Sequence, residues 1–304
     1  MSGHIVVVGS LNIDLVVRTP RYPEPGETIQ GTDFHTFPGG KGANQAIAAA
    51  RLGASVKMIG RVGQDAFGQT LLKTAEKDGV DTRFVKQDSQ APTGVASILV
   101  DESGQNSIVI VPGANARLSP DDLLQAEEVF EGAAVVLLQL EIPLATVSKA
   151  VEIAQTHGTK IVLSPAPARP LSKALLSKID YLIPNEGELA LLSGVEGIET
   201  GISCLRGLGV EHLIVTLGES GALVAEKKHQ YQLPAIPVTV VDTTAAGDAF
   251  VGAFAVALTE GLPLQQAAAW GNAAGALSVT KSGANPSLPT RQALMAFMQE
   301  HQQA

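Results

Sequence analysis

The chain has 304 residues, 45% of them hydrophobic, enough to bury a sizeable core in one large domain or two ordinary ones. A formal net charge of −9 argues against a general nucleic-acid binder, and the single cysteine, Cys204, excludes an intramolecular disulfide and a CxxC metal or redox pair. No run of about 18 apolar residues marks a membrane span, and strand-like Ile5–Val8 leaves no room for a signal peptide ahead of it, so the expectation is a cytoplasmic enzyme.

Short apolar runs predict buried strands at Ile5–Val8, Val56–Ile59, Val135–Leu140, Lys160–Leu163, Tyr181–Ile183 and Leu213–Leu217. Helical patterns lie between them at Asn44–Leu52, Phe67–Asp78, Ala145–Thr156 and Leu171–Ser177. The last third turns helical, at Gly247–Thr259, Pro263–Thr280 and Thr290–Gln299. This alternation predicts a three-layer α/β/α domain with a mostly parallel central sheet. Two stretches break the rhythm, residues 12–38 and 93–111, and the second predicts a hairpin around Asp101-Glu-Ser-Gly104. Both read as a small β lid on a single domain spanning 1–304; ordinary surface loops are the alternative.

The most informative segment is Asp242-Thr-Thr-Ala-Ala-Gly-Asp-Ala-Phe250. Ala245, Ala246 and Gly247 leave bare amides at a helix N-terminus, where an anion is favoured, and Asp248 sits beside them. One reading is phosphoryl transfer, with Asp248 taking a hydroxyl proton while the amides hold the phosphoryl group. The other is that Asp248 merely caps the helix. Polar residues also cluster at strand ends, where open α/β sheets bind ligands: Asn12, Asp14, Glu141, Asn185, Thr216 and Gly218. Gly39-Gly-Lys-Gly-Ala-Asn44 opens an Ala-rich helix but lacks the spacing of a P-loop, and a glycine turn explains it about as well. Asn185 and Glu188 are spaced as a capping box, or as a pair ordering water around a magnesium–phosphate group. The six histidines show no metal-ligating spacing.

In chain order, Gly9-Ser-Leu-Asn-Ile-Asp14, Gly39-Gly-Lys-Gly-Ala-Asn-Gln-Ala46, Thr93-Gly-Val-Ala96, Gly113-Ala-Asn115, Gln139-Leu-Glu141, Pro165-Ala-Pro-Ala-Arg169, Pro184-Asn-Glu186, Thr216-Leu-Gly218, Asp242–Phe250 and Gly283-Ala-Asn-Pro-Ser287 together resemble the ribokinase branch of the ribokinase-like carbohydrate and nucleoside kinases. The resemblance covers essentially the whole chain. It implies MgATP-dependent phosphorylation of D-ribose at its 5-hydroxyl, with Asp248 as the base. It places Asn12, Asp14, Gly40, Lys41, Asn44 and Glu141 on the sugar. It places Asn185, Thr216, Gly218, Gly221, Gly247 and Asn272 on the nucleotide, and Glu188 near magnesium. A monovalent cation, typically potassium, would lie among Asp242, Thr244, Ser278, Lys281, Gly283 and Ser287. The lid would supply homodimer contacts.

Two residues depart from the pattern: Ser164 stands where such kinases usually carry Asn, with no role assigned to it, and Thr244 where an aliphatic residue is common. A kinase of another sugar or nucleoside is the nearest rival reading. A silent sugar-binding protein on the same scaffold is disfavoured by the intact Asp248, and a nicotinamide oxidoreductase by the absence of GxGxxG after Val8.

Overall fold

The structure is a computed structural model that describes residues 3–226 and 229–302. The first half of the chain runs β1 (His4–Val8), β2 (Asn12–Arg18), β3 (Asp33–Gly39), α1 (Lys41–Arg51), β4 (Val56–Gly63), α2 (Ala66–Lys77), β5 (Val80–Asp88), β6 (Gly94–Val100) and β7 (Asn106–Val111). Next come α3 (Pro120–Gln125), β8 (Ala133–Leu138), α4 (Leu144–Thr156), β9 (Lys160–Leu163), α5 (Lys173–Leu176), β10 (Tyr181–Leu182), α6 (Glu186–Ser193) and α7 (Ile198–Gly207). The last third holds β11 (His212–Thr216), β12 (Ala222–Glu226), β13 (His229–Leu233), α8 (Ala246–Thr259), α9 (Leu264–Ser278), α10 (Ala284–Ser287) and α11 (Arg291–Gln302).

Nine strands form the main sheet in the order β13-β12-β11-β10-β9-β8-β1-β4-β5. From β11 to β5 every pairing is parallel; β12 and β13 extend the edge antiparallel. Parallel strands must be covered on both faces, and β1 shows how the sequence does it. Ile5 and Val7 join one apolar cluster, with residues of α1, α8 and α9; Val6 and Val8 join the other, with residues of α4 and α7. The expected three-layer α/β/α architecture is therefore observed.

The second sheet has four strands in the order β3-β2-β6-β7. It is mixed: β2 pairs antiparallel with β3 and parallel with β6, and the β6–β7 hairpin is antiparallel. It covers both stretches assigned to a lid. Its outer strand β7 exposes Ile108, Val109, Ile110 and Val111, and β3 exposes Phe34.

Helix α8 is apolar all round, and its residues from Asp248 to Leu258 are all buried. It can lie directly on α1 because Gly252 has no side chain: a Cβ there would come within 2.6 Å of the Ala48 Cβ. Filling that gap would cost about 1–3 kcal/mol by overpacking. This close approach brings the first turn of α8 against the first turns of α1.

Candidate active site

The chain winds outward from β1 in both directions, through β4 and β5 on one side and β8 to β11 on the other. The crevice at such a reversal, beyond the carboxyl ends of the strands, is where doubly wound sheets take ligands. Five segments meet here: the turn after β1, the start of β2, the start of α1, the segment after β8, and the start of α8.

Asp248, in the first turn of α8, is 7% exposed. Asn44 Nδ2 donates to its Oδ2 (3.0 Å) and Gln45 Nε2 to its Oδ1 (3.0 Å). Both donors belong to the first turns of α1. The Glu141 carboxylate accepts from the Lys41 amide (3.1 Å) and from the Ser10 hydroxyl. Asn115 bonds the backbone of Leu11 on both sides (3.0 and 2.9 Å) and donates to Asn12 Oδ1 (2.8 Å). The turn into α1 requires Gly40, at φ 90°, since a Cβ would come within 2.7 Å of the Asn12 amide. The sugar-assigned residues Asn12, Asp14, Gly40, Lys41, Asn44 and Glu141 are thus one cluster beside Asp248.

Their charges are tightly linked. Burial, then Glu141 and Asp248, push the Asp14 carboxyl up to about 7, with Lys41 opposing. Burial raises Asp248 as well, while Lys41 and the donated hydrogen bonds of Asn44 and Gln45 hold it down and Glu141 adds to the rise. Burial alone would lower the Lys41 ammonium, but Asp248, Glu141, Glu188 and Asp14 outweigh it and leave its pKa raised. Lys41 is therefore a firmly held cation among carboxylates. A neutral ligand with several hydroxyls, beside an anionic group, suits this mixture of acceptors and one central cation.

A cavity of about 220 Å³ lies beyond Asp248, lined among others by Lys41, Asn185, Glu188, Thr216 and the Ala245–Gly247 turn. The Glu188 and Asn185 side chains each bond the other's backbone amide, so the capping box is real. Glu188 nonetheless reaches the cavity wall, and burial raises its carboxyl. A longer groove of about 930 Å³ continues from there, past Thr216, Gly218, Gly221, Gly247 and Asn272 to Val279. All the residues assigned to the nucleotide line one or both spaces. The α8 N-terminus differs from expectation in one detail. Ala245 sits in the left-handed region at φ 61°, and the Ala246 amide turns back to Thr243 O (3.2 Å). The amides of Gly247 and Asp248 are left at the open end of the helix, where none has an intrahelical acceptor.

The residues assigned to a monovalent cation also gather. Asp242 accepts from the Thr244 amide (2.9 Å) and hydroxyl (2.6 Å) with one oxygen and from the Gly283 amide (2.8 Å) with the other. Burial would raise its carboxyl; Thr244, Gly283 and the Arg18 charge together hold it low, so it stays ionised. Ser278 and Ser287 direct their hydroxyls to their own helix carbonyls (both 2.8 Å), which leaves backbone oxygens as their means of contact. Lys281 is exposed, its amide bonded to Ser278 O (3.2 Å). The far end of α1 anchors this loop. The Arg51 guanidinium donates to Asn285 O (2.7 Å), Asn285 Oδ1 (2.9 Å) and Leu288 O (3.0 Å), and pairs with Asp78 (2.8 Å).

Ser164, given no role from the sequence, belongs to the site: it lines the small cavity with Lys41 and Glu188. Sequence reading also passed over Ser10, Gln45, Asn115 and Gln139 as parts of the site. Their signal was a buried polar residue inside an apolar stretch, visible in Ala43-Asn-Gln-Ala46 and Leu138-Gln-Leu140.

The pfkB family of carbohydrate kinases matches residues 2–291. The chain belongs to that family. It is 43% identical over 300 residues to the ribokinase of Haemophilus influenzae, covering 97% of this chain and 98% of that one. It is 38% identical over 292 residues to a deoxyribokinase of Salmonella typhi, covering 94% and 95%. The structure of Arabidopsis thaliana ribokinase complexed with ribose and ATP superposes with a TM-score of 0.92 at 36% identity, covering 98% and 99% of the two chains.

Proposed function

We propose that the protein is a ribokinase, transferring the γ-phosphoryl group of ATP to the 5-hydroxyl of D-ribose to give D-ribose 5-phosphate and ADP. The observation that carries the reading is the place of Asp248. It is a buried carboxylate at the open N-terminus of α8, between a cluster of polar side chains and a cavity that opens into a long groove. The sugar lies among Asn12, Asp14, Gly40, Lys41, Asn44 and Glu141, and ATP in the groove. Asp248 takes the proton of the 5-hydroxyl as that oxygen attacks the γ-phosphorus. The bond from phosphorus to the β–γ bridging oxygen breaks and ADP leaves with that electron pair. Lys41 and the Gly247 amide face the charge that develops on the phosphoryl oxygens.

Glu188 suits a hydrated magnesium ion carried on the ATP phosphates: it is one carboxylate on a cavity wall, and among the described residues no three His, Cys, Asp or Glu group as metal ligands. Magnesium there would neutralise phosphate charge. An ionised Asp242 that bridges the Thr244 turn and the Gly283 loop likewise suits potassium. The exposed apolar strand β7 and Phe34 suit a second copy of the same sheet, making a homodimer, and we place the enzyme in the cytoplasm.

The test is ATP consumption across ribose, 2-deoxyribose, fructose and adenosine, with the product's phosphorylated position read by NMR. Ribose should lead in kcat/KM. A lead for 2-deoxyribose would transfer the reading to the deoxyribokinase type. Light scattering at micromolar concentration should give twice the monomer mass.

A further inference from the structure

Behind Asp248, away from the groove, two glutamine side chains are fully buried. Gln45 Nε2 donates to Asp248 Oδ1 (3.0 Å), and Gln45 Oε1 accepts from Gln139 Nε2 (2.6 Å). Gln139 Oε1 is buried with no hydrogen-bond partner. Burying two primary amides, one of them half-satisfied, costs stability that Leu or Met at these positions would not. The backbone also makes room for the pair: a methyl group at Gly9 would collide with Gln139 Oε1, and Gly252 lets α8 approach Gln45 O and Ala48.

An ionised carboxylate only accepts, so Asp248 takes the NH₂ end of Gln45 and leaves Gln45 Oε1 buried and in need of a donor. If Gln45 turned over, its oxygen would face Asp248 Oδ1, two acceptors in contact. Gln139 supplies that donor: its NH₂ meets Gln45 Oε1 and ties the far end of the Gln45 amide in the position that serves Asp248. We infer that Gln45 and Gln139 form a relay of positioning residues, in which Gln139 fixes the orientation of Gln45 and Gln45 fixes the Asp248 carboxylate for proton abstraction. Asn44 holds the other oxygen of the same carboxylate (3.0 Å). The inference rests on Asp248 being the base of the proposed kinase.

The charged groups facing Asp248 are Lys41 on α1 and Glu141 after β8; Asp14 on β2 and Glu188 on α6 act on it through the same cluster. Removing a donated hydrogen bond disfavours the ionised carboxylate, so the acid limb of kcat, read at saturating ribose, should move to higher pH. For Gln45→Leu the expected move is about one pH unit, with kcat at neutral pH down about tenfold. The ribose KM should stay within about threefold, because Gln45 is not in the sugar cluster. Gln139→Leu should shift the limb the same way by less. The double variant should be no worse than Gln45→Leu alone, since Gln139 acts through Gln45. If Gln45→Leu does not fold, Gln139→Leu and Gln45→Met provide the same readout.

An unmoved acid limb in these variants, or two effects that simply add, would overturn the relay. Asp248→Asn is assayed in parallel. An active Asp248→Asn removes the kinase base itself, whereas an inactive one beside unshifted glutamine variants removes the relay alone.

Discussion

The half of the site assigned to the sugar is built from side chains already bonded to one another, and the half assigned to the nucleotide from turns, small residues and an open groove. On one side Asn12, Asn44, Glu141 and Asp248 each have a fixed partner. On the other, the groove of about 930 Å³ is walled by Gly218, Gly221, Ala235, Gly275 and Ala276, with Asn272 spent on Pro234 O (2.8 Å). A prebuilt cluster of buried polar groups rejects a ligand that leaves them unpaired, while a backbone-lined groove accepts shape and anionic charge with less discrimination. Selectivity should therefore reside with the sugar and tolerance with the nucleotide.

The sharpest break between the halves should come at the residue they share. Asp248→Asn keeps the shape but cannot take a proton, so kcat should fall by about 10²–10⁴-fold while calorimetry still detects ribose and ATP. Retention of more than about a tenth of the parent kcat would remove Asp248 as base.

Next in size, Asp14→Ala and Glu141→Ala should each weaken ribose by about tenfold or more and leave ATP affinity within about twofold, since both act on one half only. Equal losses for both ligands would erase the distinction.

A pH effect should follow from Asp14, whose carboxyl sits at about 7 against an ordinary 3.8. Sugar hydroxyls donate to the ionised form, so ribose affinity should weaken up to about tenfold as pH falls from 8 to 6. Stability moves the other way. Between these two pKa values the folded chain holds a proton that the unfolded chain has lost, so Asp14 makes the fold less stable as pH rises from about 4 to about 7. Asp14→Asn should melt higher than the parent at pH 8, and the gap should close at pH 4. A gap independent of pH would assign the effect to packing.

The smallest effect expected is a several-fold greater activity in potassium than in sodium at equal ionic strength. Asp242 is bonded to Thr244 and Gly283 and lies outside the cluster assigned to the sugar, so ribose affinity should not follow the cation. Identical rates in potassium, sodium and tetramethylammonium would dismiss a specific site.

The interior strands were legible because strands buried on both faces read as apolar runs, as at Ile5–Val8 and Leu213–Leu217. The main-sheet strands that went unseen lie at that sheet's edges or next to one. β5 carries Asp81, Arg83, Lys86 and Gln87 toward solvent, and β13 reads His-Gln-Tyr-Gln-Leu, so neither shows an apolar run. Helix α7 was not predicted as an element, its segment around Cys204 opening on Gly197 and carrying Gly201 and Gly207, and β12 is short and begins with Ala. The site was legible where chemistry-bearing residues sit at strand ends or in glycine turns. It was not where a residue acts from behind. Gln45, Gln139 and Asn115 are distant in sequence from what they hold, by 203, 94 and 103 residues in their hydrogen bonds to Asp248, Gln45 and Asn12. Ser164 was passed over because only the fold brings the end of β9 to the wall shared with Lys41.

Helix α1 has one more consequence, for which stretches of the chain can change length. Its first turns carry Lys41, Asn44 and Gln45, and its last residue, Arg51, grips Asn285 and Leu288. Along the 11-residue helix the axial distance from Lys41 to Arg51 is roughly 15 Å, at about 1.5 Å per residue step. One inserted residue would turn everything beyond it by about 100° and advance it one step, so either Asp248 or the 283–288 loop would lose its partners. The segment between β2 and β3, residues 20–32, is mostly exposed and bears no such constraint. Insertions and deletions should accumulate there and be absent from α1, so the spacing between Lys41 and Arg51 acts as a fixed ruler inside an otherwise adjustable chain.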